Sequence, residues 1–550
     1  MKKFKRSSLN LILILFFTGG TLLWINSVEK RDVYTTISKN LTIIGQIYKE
    51  VSRRYVDKID PDKFLKAGID GMLNTLDPYT SYIEKEDKQQ LQILAQGKYE
   101  GVGLLLTFRN KVVTVAEPPF LGTPAARAGI REGDKIIKVN GLLTKELGFE
   151  GTVSKIRGPA GTEVTLTIQR EGEPKLLEFT LIREKIKVED VRYAGFIKNG
   201  IGYVRLTRFS KNAAPEVAEA VQNLKSRNLK GLILDLRSNP GGMLESAVEV
   251  ADMFLPKNLV IVSIRGRSKN SPHEFKSLKN PIYGDSPLVV LVNQFSASAS
   301  EIVAGAIQDY DRGIIVGDTT FGKGLVQSVI PLSPTSALKI TTAKYYTPSG
   351  RCIQKQNYSF WSDSLTVDKK SIYHTRSGRP VHGGGGIAPD VVVRPPMLSD
   401  LVVDLIRKSL FFNFAVHYAN THSIIDSTLQ IKEDILNDFR QYLKKKSFKY
   451  HYPIEKDLSL LKKDVVESGY DSSLVKNIDL FEQSLDRSKN KMFLNSLPEI
   501  KRYLRLELAS KFFGTRKGVE LSLQDDPVVK KAVELLSDKA YYSSIIKVTH

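Results

Sequence analysis

Two apolar runs, each followed by a short polar turn and then a helical pattern, constrain this chain most strongly. Leu288–Val292 is predicted to be a buried strand, and Ser298–Asp309 a helix with apolar residues at helical spacing. The same order occurs upstream, where Gly231–Arg237 is predicted as a strand, Asn239–Gly242 as a tight turn and Met243–Phe254 as a helix. Two strand-to-helix junctions of this kind predict an α/β fold.

The downstream junction carries three serines, Ser296, Ser298 and Ser300. A helix N-terminus has unpaired backbone N–H groups and the positive end of the helix dipole, so it favours an oxyanion beside a nucleophile. The upstream glycines, Gly241 and Gly242, offer a second backbone donor. Serine is also a preferred N-cap residue, so helix capping is the alternative role for each serine.

A serine nucleophile needs an adjacent base at neutral pH, and Lys323 is the remaining candidate. All seven histidines lie outside the two segments that carry the serines and the lysine, and no Gly-x-Ser-x-Gly elbow occurs. A lysine acts as a base near neutral pH only if its pKa falls well below the ordinary value. The apolar neighbours Phe321, Leu325 and Val326 favour that change through desolvation.

Phosphate binding is the alternative role for Lys323. Gly317–Lys323 satisfies the first seven positions of a Walker A loop and follows a strand-like run. However, Gly324 stands where such a loop needs Ser or Thr, and Leu325–Ile330 is predicted to be extended where a helix is required. We expect this extended segment to run into the mixed sheet of the core.

Four segments in this order resemble the C-terminal processing (tail-specific) proteases: Asp235–Gly242, Ser296–Ile302, Thr320–Gly324 and Tyr346–Arg351. The resemblance covers roughly residues 31–395. It implies a serine endopeptidase that forms an acyl-enzyme on its nucleophile. A catalytically inactive scaffold that holds peptide tails is the alternative, which the joint presence of serine, lysine and glutamine disfavours.

The resemblance also implies the residue roles. Ser298 is the implied nucleophile, Lys323 the general base and later acid, and Gln327 the residue that orients the lysine. The implied oxyanion donors are the backbone amides of Ala299 and of Gly241 or Gly242, with Ser296 and Ser300 supporting. Asp309, treated as part of the site in some relatives, is expected roughly 16 Å along the helix from Ser298, so we interpret it as a supporting structural residue.

Residues 96–185 resemble a PDZ domain, through Tyr99–Leu106, an alternating run and Ala125–Gly141. A PDZ domain binds an extended peptide as an added strand, while a loop of backbone N–H groups binds the terminal carboxylate. Here that loop is expected to be Gly101, Val102, Gly103 and Leu104. The alternative interpretation of the glycines is a simple hairpin pair. Recognition of a free carboxylate would direct the enzyme to polypeptide C-termini.

The N-terminus has the pattern of an export signal. Lys2, Lys3, Lys5 and Arg6 precede an apolar run from Leu9 to Ile25. The basic residues predict a cytoplasmic N-terminus and place residues 30–550 on the periplasmic face of a bacterial inner membrane. Because no Ala-x-Ala site follows, we favour an uncleaved membrane anchor over a removed signal peptide, which would leave the protein free in the periplasm.

The chain is therefore predicted to be an α/β multidomain protein. Its expected parts are a signal anchor or signal peptide (1–30), a helical N-terminal arm (31–95), a β-rich PDZ domain (96–185), a mixed α/β protease core (186–395) and a helical C-terminal extension (396–550). Residues 31–95 are interpreted as an arm or as a dimerisation element, and a homo-oligomer is the assembly that the second interpretation predicts. The extension shows amphipathic helices without recognisable chemistry.

Composition narrows the set of partners. The single cysteine, Cys352, cannot form an internal disulfide, and no His-Glu-x-x-His motif occurs, so no metal or organic cofactor is predicted. The net charge of +21 raises nucleic acid as a partner, but the cations are spread along the chain without an aromatic-interleaved patch. We predict no nucleic acid, and an anionic membrane surface instead.

Overall fold

The computed structural model describes residues 34–84, 95–109, 111–198, 200–267, 273–355, 371–422, 429–450 and 453–546. The predicted signal segment lies outside these residues. No helix within the described ranges is both long and apolar enough to cross a bilayer. The chain divides into two compact units, and the described part of the first comprises residues 34–83 and 329–340.

The first unit is built on two helices, α1 (residues 34–54) and α2 (Pro61–Leu73). Tyr48 of α1 stacks on Phe64 of α2 with ring centroids 5.7 Å apart. A short strand, β1 (Ser81–Ile83), pairs antiparallel with the first residues of β18 (Ala337–Tyr346). The helical arm is thus present, while its role in oligomerisation stays a prediction.

Within the second unit, the PDZ region is a β-rich module whose longer helical segment is kinked at Gly148. Its core consists of alternate residues of the strands, such as Val113, Ile136 and Leu166, which are buried. Its elements are β2 (Lys98–Gly101), β3 (Leu106–Arg109), β4 (Val112–Val115), α3 (Pro124–Arg127), β5 (Lys135–Val139), β6 (Leu142–Leu143), α4 (Thr144–Ile156), β7 (Glu163–Gln169), β8 (Leu177–Ile182) and β9 (Glu184–Lys187).

The protease core is a six-stranded mixed sheet in the order β10-β11-β12-β15-β16-β21. Only the β10–β11 pair is antiparallel, and the remaining neighbours are parallel. The strands are β10 (Val191–Lys198), β11 (Ile201–Leu206), β12 (Gly231–Asp235), β15 (Leu288–Val292), β16 (Ile314–Gly317) and β21 (Val391–Val392), and the helices are α5 (Ala213–Lys225), α6 (Leu244–Asp252) and α7 (Ala299–Asp309). The predicted fold class is confirmed.

A second sheet contains the strand that follows Lys323. That strand, β17 (Leu325–Pro331), pairs with β18. The second half of β18 pairs with β13 (Val260–Gly266), and β13 in turn pairs with β14 (His273–Lys276). The prediction that this strand runs into the core sheet is wrong, because an apolar pattern does not specify which sheet receives a strand. A small hairpin, β19 (Ile372–His374) and β20 (Pro380–His382), lies further along the chain.

The C-terminal extension is helical, as predicted, and its last helices cover the second face of the core sheet. Val528, Val529 and Leu535 are buried in one apolar cluster with Ile233 of β12 and Leu291 of β15. The helices are α8 (Asp400–Arg407), α9 (Leu410–Thr421), α10 (Glu433–Lys445), α11 (Pro453–Glu467), α12 (Ser472–Asn495), α13 (Leu497–Phe513), α14 (Thr515–Asp525), α15 (Pro527–Ser537) and α16 (Lys539–Ile546).

Candidate active site

Ser298 occupies the turn between β15 and α7. It is the N-cap residue of α7 and has φ 55° and ψ −113°, a left-handed conformation that residues with a Cβ rarely adopt. Its side chain is half-buried, whereas Ala297 and Ala299 on either side are buried. Backbone strain of this kind is characteristic of turns that hold one side chain out from the surrounding core.

Glu301, one turn into α7, binds the main chain around both predicted catalytic residues. Its carboxylate accepts hydrogen bonds from the backbone N–H of Ser298 at 2.8 Å and of Lys323 at 2.9 Å. The N–H of Gly322 at 2.7 Å and the hydroxyl of Thr320 at 2.5 Å donate to the other oxygen. Because one oxygen accepts from both, the backbone nitrogens of Ser298 and Lys323 lie within about 6 Å of each other.

Burial controls the ionisation of Glu301. Its side chain has no exposed surface, and burial raises its pKa to about 7, against the effect of the hydrogen bonds from Thr320, Lys323, Gly322 and Ser298. The carboxyl group therefore titrates near neutral pH at the centre of the site.

Tyr345 joins the same two residues from the other side of their backbones. Its hydroxyl donates to the carbonyl oxygens of Ser298, at 3.2 Å, and of Lys323. Tyr345 is buried and lies on β18, in the second sheet. A carboxylate and a phenol thus fix Ser298 and Lys323 side by side, although the two are 25 residues apart in the chain.

The upstream turn lies directly against Ser298. A Cβ on Gly241 would stand 2.8 Å from the carbonyl oxygen of Ala297 and 2.9 Å from the Cβ of Ser298. Gly241 has φ +100°, so both the conformation and the close approach require glycine. The carbonyl of Asn239 accepts from the N–H of Ala297 at 3.0 Å and thereby joins the two turns.

The candidate oxyanion donors differ in availability. The N–H of Gly241 donates to the side-chain oxygen of Asn239 at 2.9 Å, so it is already used. Among the hydrogen bonds of the described residues, none uses the N–H of Gly242 or of Ala299. Gly242 and Ala299 are therefore the two predicted donors whose N–H groups are available to an oxyanion.

The two neighbouring serines make contacts within the fold. The hydroxyl of Ser296 donates to the carbonyl of Leu236 at 2.8 Å, and the hydroxyl of Ser300 donates to that of Asn239 at 2.9 Å. Both side chains are fully buried. These contacts connect the downstream turn to the upstream one.

The two other predicted site residues, Gln327 and Asp309, make contacts with different segments. Gln327 is on β17, and its amide donates to Thr341 of β18 at 3.3 Å. Asp309 forms a fully buried ion pair with Arg351 at 2.7 Å and accepts from the N–H of Ser349 at 2.9 Å. Asp309 therefore fastens the end of α7 to the Tyr346–Arg351 segment, which agrees with a structural interpretation.

The apolar residues that the sequence analysis named near Lys323 differ in burial. Leu325 is buried, whereas Phe321 is 43% exposed and contributes little desolvation. The strand β17 that follows Lys323 confirms the predicted extended segment. Because a P-loop requires a helix at this point, the nucleotide-binding interpretation loses its structural basis.

Another buried carboxylate, Asp235, lies at the end of β12. It forms a bidentate ion pair with Arg237, from Nε to Oδ1 at 3.0 Å and from Nη2 to Oδ2 at 2.6 Å, and accepts from the hydroxyl of Tyr203 at 2.6 Å. Burial alone would raise the pKa of Asp235, but the charge and hydrogen bonds of Arg237 outweigh it, so the pKa lies below its ordinary value. Arg237 also pairs with Asp526 of the C-terminal extension at 2.7 Å.

In the PDZ region, Tyr99 is close to the predicted carboxylate loop. Burial raises the pKa of its hydroxyl to about 12, against the effect of Arg157 and of the backbone N–H groups of Gly103 and Leu104. The adjacent cavity of about 270 Å³ is lined mainly by apolar side chains, including Val102, Leu104, Leu106, Phe120, Val153 and Ile156.

Sequence reasoning did not identify Glu301, Tyr345 or the Asp235–Arg237 pair. A signal for Glu301 existed, since Ser298-x-x-Glu301 has the spacing of a capping box. Tyr345 had no local signal, because only the meeting of two sheets brings it to the site. Within the described ranges, no group of three or more His, Cys, Asp or Glu side chains could hold a metal ion.

Four family models match parts of this sequence. The sequence model of peptidase family S41 matches residues 200–359, and that of a PDZ domain matches residues 121–170. The model described as the activating protease CtpB N-terminal domain matches residues 24–87. The model described as the C-terminal helical domain of a probable PDZ-protease matches residues 401–536, which gives the C-terminal extension a counterpart in other proteins.

Individual relatives cover most of the chain. The carboxy-terminal-processing protease of Bartonella bacilliformis is 38% identical over 393 residues, which is 70% of this chain and 83% of that protein. The carboxy-terminal processing protease CtpB of Bacillus subtilis is 36% identical over 323 residues, covering 58% of this chain and 66% of the relative. A solved structure, the photosystem II D1 C-terminal processing protease, is 30% identical, covers 65% of this chain and 94% of its own, and gives a TM-score of 0.35.

The extent of the first of these matches exceeds what a shared domain alone would give, because it runs through most of both proteins. The matched core contains the junctions of Ser298 and Gly241 and the segment of Lys323. The chain therefore belongs to peptidase family S41, the carboxy-terminal-processing proteases, and carries the PDZ domain that accompanies the protease core.

Proposed function

We propose that this protein is an exported serine endopeptidase that recognises polypeptide C-termini through its PDZ domain and cleaves through an acyl-enzyme on Ser298. The observation that carries the proposal is the shared binding of Ser298 and Lys323 by the Glu301 carboxylate and the Tyr345 hydroxyl. Because these two residues are held on adjacent backbone segments at a helix N-terminus, this contact supports a joint role for the hydroxyl of Ser298 and the amine of Lys323.

In the proposed reaction, the hydroxyl oxygen of Ser298 attacks the carbonyl carbon of the substrate while the neutral amine of Lys323 accepts the hydroxyl proton. The N–H groups of Ala299 and Gly242 hold the resulting oxyanion. The ammonium of Lys323 then donates the proton to the leaving amine. Water attacks the acyl ester, with Lys323 again as base, and restores Ser298.

Recognition of chain ends rests on the PDZ domain. The apolar cavity beside Gly103 and Leu104 suits an apolar terminal side chain, and the N–H groups of these residues suit its carboxylate. We propose that export follows from the N-terminal basic and apolar pattern, so that the protease faces the periplasm as a membrane-anchored or released form.

The decisive experiment compares the full-length protein with Ser298→Ala and Lys323→Met on a loosely folded substrate with a free or an amidated apolar C-terminus. We expect each substitution to lower kcat/KM by about 10⁴-fold or more. Ser300→Ala is the matched control, since it removes one hydrogen bond to Asn239, whose carbonyl keeps a second donor, and should retain activity within about tenfold.

The outcomes separate the parts of the proposal. Weaker cleavage of the amidated substrate would support recognition of the carboxylate, whereas equal cleavage would remove that part only. Persistent cleavage in Ser298→Ala would exclude the acyl-enzyme. Inactivity of the unsubstituted protein together with saturable peptide binding would favour a peptide-holding scaffold.

A further inference from the structure

A second cavity lies between the back of the PDZ region and the C-terminal helices, away from the candidate active site. Its volume is about 760 Å³, within the range of small-molecule sites. One wall comes from β3, β4 and β5, including Arg109, Thr114 and Lys135. The other comes from α9 and from the end of α10 with the residues that follow it, including Lys446 and Lys449.

The lining of this cavity carries a strong excess of positive charge. Five cationic side chains line it, against the one carboxylate of Glu171: Arg109, Lys135, Lys408, Lys446 and Lys449. Glu171 already faces His417 at 3.5 Å, and Lys408 is paired with Asp404 at 2.8 Å. Convergence of like charges is unfavourable in the absence of a counter-charge, which an anionic ligand would supply.

Arg109 lacks a hydrogen-bond acceptor for part of its guanidinium group. Its guanidinium lies over the ring of Phe412 at 3.6 Å, and its Nη1 atom is buried without a hydrogen-bond partner. Two carboxylates, Glu507 and Glu132, act on the charge of Arg109, and burial raises the pKa of each of them. A buried guanidinium donor without an acceptor is costly, so it favours an anion with several oxygens.

Apolar side chains complete the lining. Val112, Leu410, Val416 and Phe448 face the same cavity as the cations. An inorganic ion would leave these surfaces without a partner, whereas a ligand with an anionic head and an apolar body would contact both kinds of side chain. Guanidinium and ammonium groups together suit a phosphate, which offers up to two charges and several acceptor oxygens.

We propose that this cavity binds an organic phosphate, in which a phosphate group is attached to an apolar body. The phosphate contacts Arg109 and Lys135 on the PDZ wall and Lys446 and Lys449 on the helical wall, and the apolar body lies against Val112 and Phe448. Such a ligand would join the PDZ region to the C-terminal helices. The site is independent of the proposed proteolytic chemistry, and it can be tested without measuring proteolysis.

The test is calorimetric titration of the full-length protein, in a non-ionic detergent at low salt, with dihexanoyl phosphatidic acid, n-hexyl phosphate and inorganic phosphate. We expect saturable binding of one or both organic phosphates and weaker binding of inorganic phosphate. Binding of the lipid alone would identify a membrane lipid as the source. Equal binding of n-hexyl phosphate would identify a soluble organic phosphate.

The matched variants decide whether binding occurs in this cavity. Lys446→Gln with Lys449→Gln removes two lining charges, whereas Lys444→Gln with Lys445→Gln removes two charges from the same segment outside the cavity. The first pair, and Lys135→Gln on the opposite wall, should each weaken binding by about tenfold or more, and the control pair by less than about twofold.

Three results would overturn the proposal. One is equal weakening by the two lysine pairs, which would mean non-specific attraction to a basic surface. Another is the lack of saturable binding for every phosphate probe. The third is tighter binding of a hexaglutamate peptide than of either organic phosphate, which would assign the cavity to acidic polypeptides.

Discussion

The two strand-to-helix junctions of the core follow the same order in sequence, yet their buried carboxylates are stabilised in opposite ways. At the upstream junction, Asp235 is paired with Arg237, and its pKa lies below the ordinary value. At the downstream junction, Glu301 accepts hydrogen bonds from three backbone N–H groups and one hydroxyl, and its pKa is raised to about 7.

The two carboxylates differ in pKa because they bind different groups: Asp235 binds a charged side chain, and Glu301 binds mainly backbone N–H groups. Asp235 fixes one arginine, which in turn binds Asp526 of the C-terminal extension, so this ion pair ties the sheet to its covering helices. Glu301 fixes the backbone segments that carry the proposed nucleophile, Ser298, and the proposed base, Lys323. An ion pair joins two side chains, whereas a carboxylate with four donors sets the positions of several peptide groups at once.

The largest effect on stability is expected for Asp235→Asn. The substitution removes the bidentate partner of Arg237 and leaves a largely buried guanidinium with Asp526 alone, so the free energy of unfolding should fall by about 3–5 kcal/mol. Chemical denaturation measures it. Asp252→Asn is the matched control, because Asp252 is also buried but accepts from the N–H groups of Leu278 and Lys279. Equal losses would mean that the ion pair contributes nothing beyond hydrogen bonding.

A second test uses pH to separate the junctions. The folded state holds a proton on Glu301 up to about pH 7, whereas the unfolded state releases it near 4.5, so Glu301 lowers stability as pH rises between these values. The expected change, relative to Glu301→Gln, is on the order of 3 kcal/mol. Asp235 has the opposite effect on the pH dependence of stability. Its contribution to the free energy of unfolding is present above the ordinary pKa of 3.8 and is lost as pH falls through the lowered pKa of the folded state.

The free energy of unfolding is measured by chemical denaturation of the unsubstituted protein and of Glu301→Gln from pH 4.5 to 8. A difference in stability that stays constant over this range would contradict the raised pKa of Glu301. The free energy of unfolding of the unsubstituted protein, minus that of Glu301→Gln, should fall as pH rises. A difference that rises with pH would reverse the assignment of the two junctions.

The contact between the junctions is tested by Gly241→Ala. The new Cβ would meet the carbonyl of Ala297 at 2.8 Å and the N–H nitrogen of Ala299 at 3.0 Å, so we expect a loss of about 1–3 kcal/mol in stability and about 100-fold in kcat/KM. Gly378→Ala is the matched control, since Gly378 has φ +91° but no atom within 4 Å of the added Cβ. If both variants lose the same activity, backbone strain and not the close approach is responsible.

The smallest effect is expected for Asp526→Asn. The ion pair with Arg237 is partly exposed, and asparagine still caps α15, so stability should fall by about 1 kcal/mol while kcat/KM changes by less than about twofold. Paired measurements of denaturation and peptide hydrolysis test this. A large loss of activity would show that the C-terminal helices act on the catalytic junction and do more than cover the sheet.

The sequence alone determined the fold class, the two junctions and the candidates Ser298 and Lys323, because these depend on local patterns and on the order of motifs. It also predicted the strand after Lys323 and the helices of the C-terminal extension. It assigned that strand to the wrong sheet, since the pairing partner of a strand depends on distant residues.

Only the tertiary structure decided how the site is held together. Glu301 carries a capping-box signal, but its bonds to Gly322 and Lys323 require the loop after β16 to fold back on α7. Tyr345, the occupied N–H of Gly241 and the cover of the core sheet by α15 likewise arise from contacts between segments far apart in the chain. Local patterns specify which elements form, whereas burial and hydrogen bonding between distant elements specify which side chains meet.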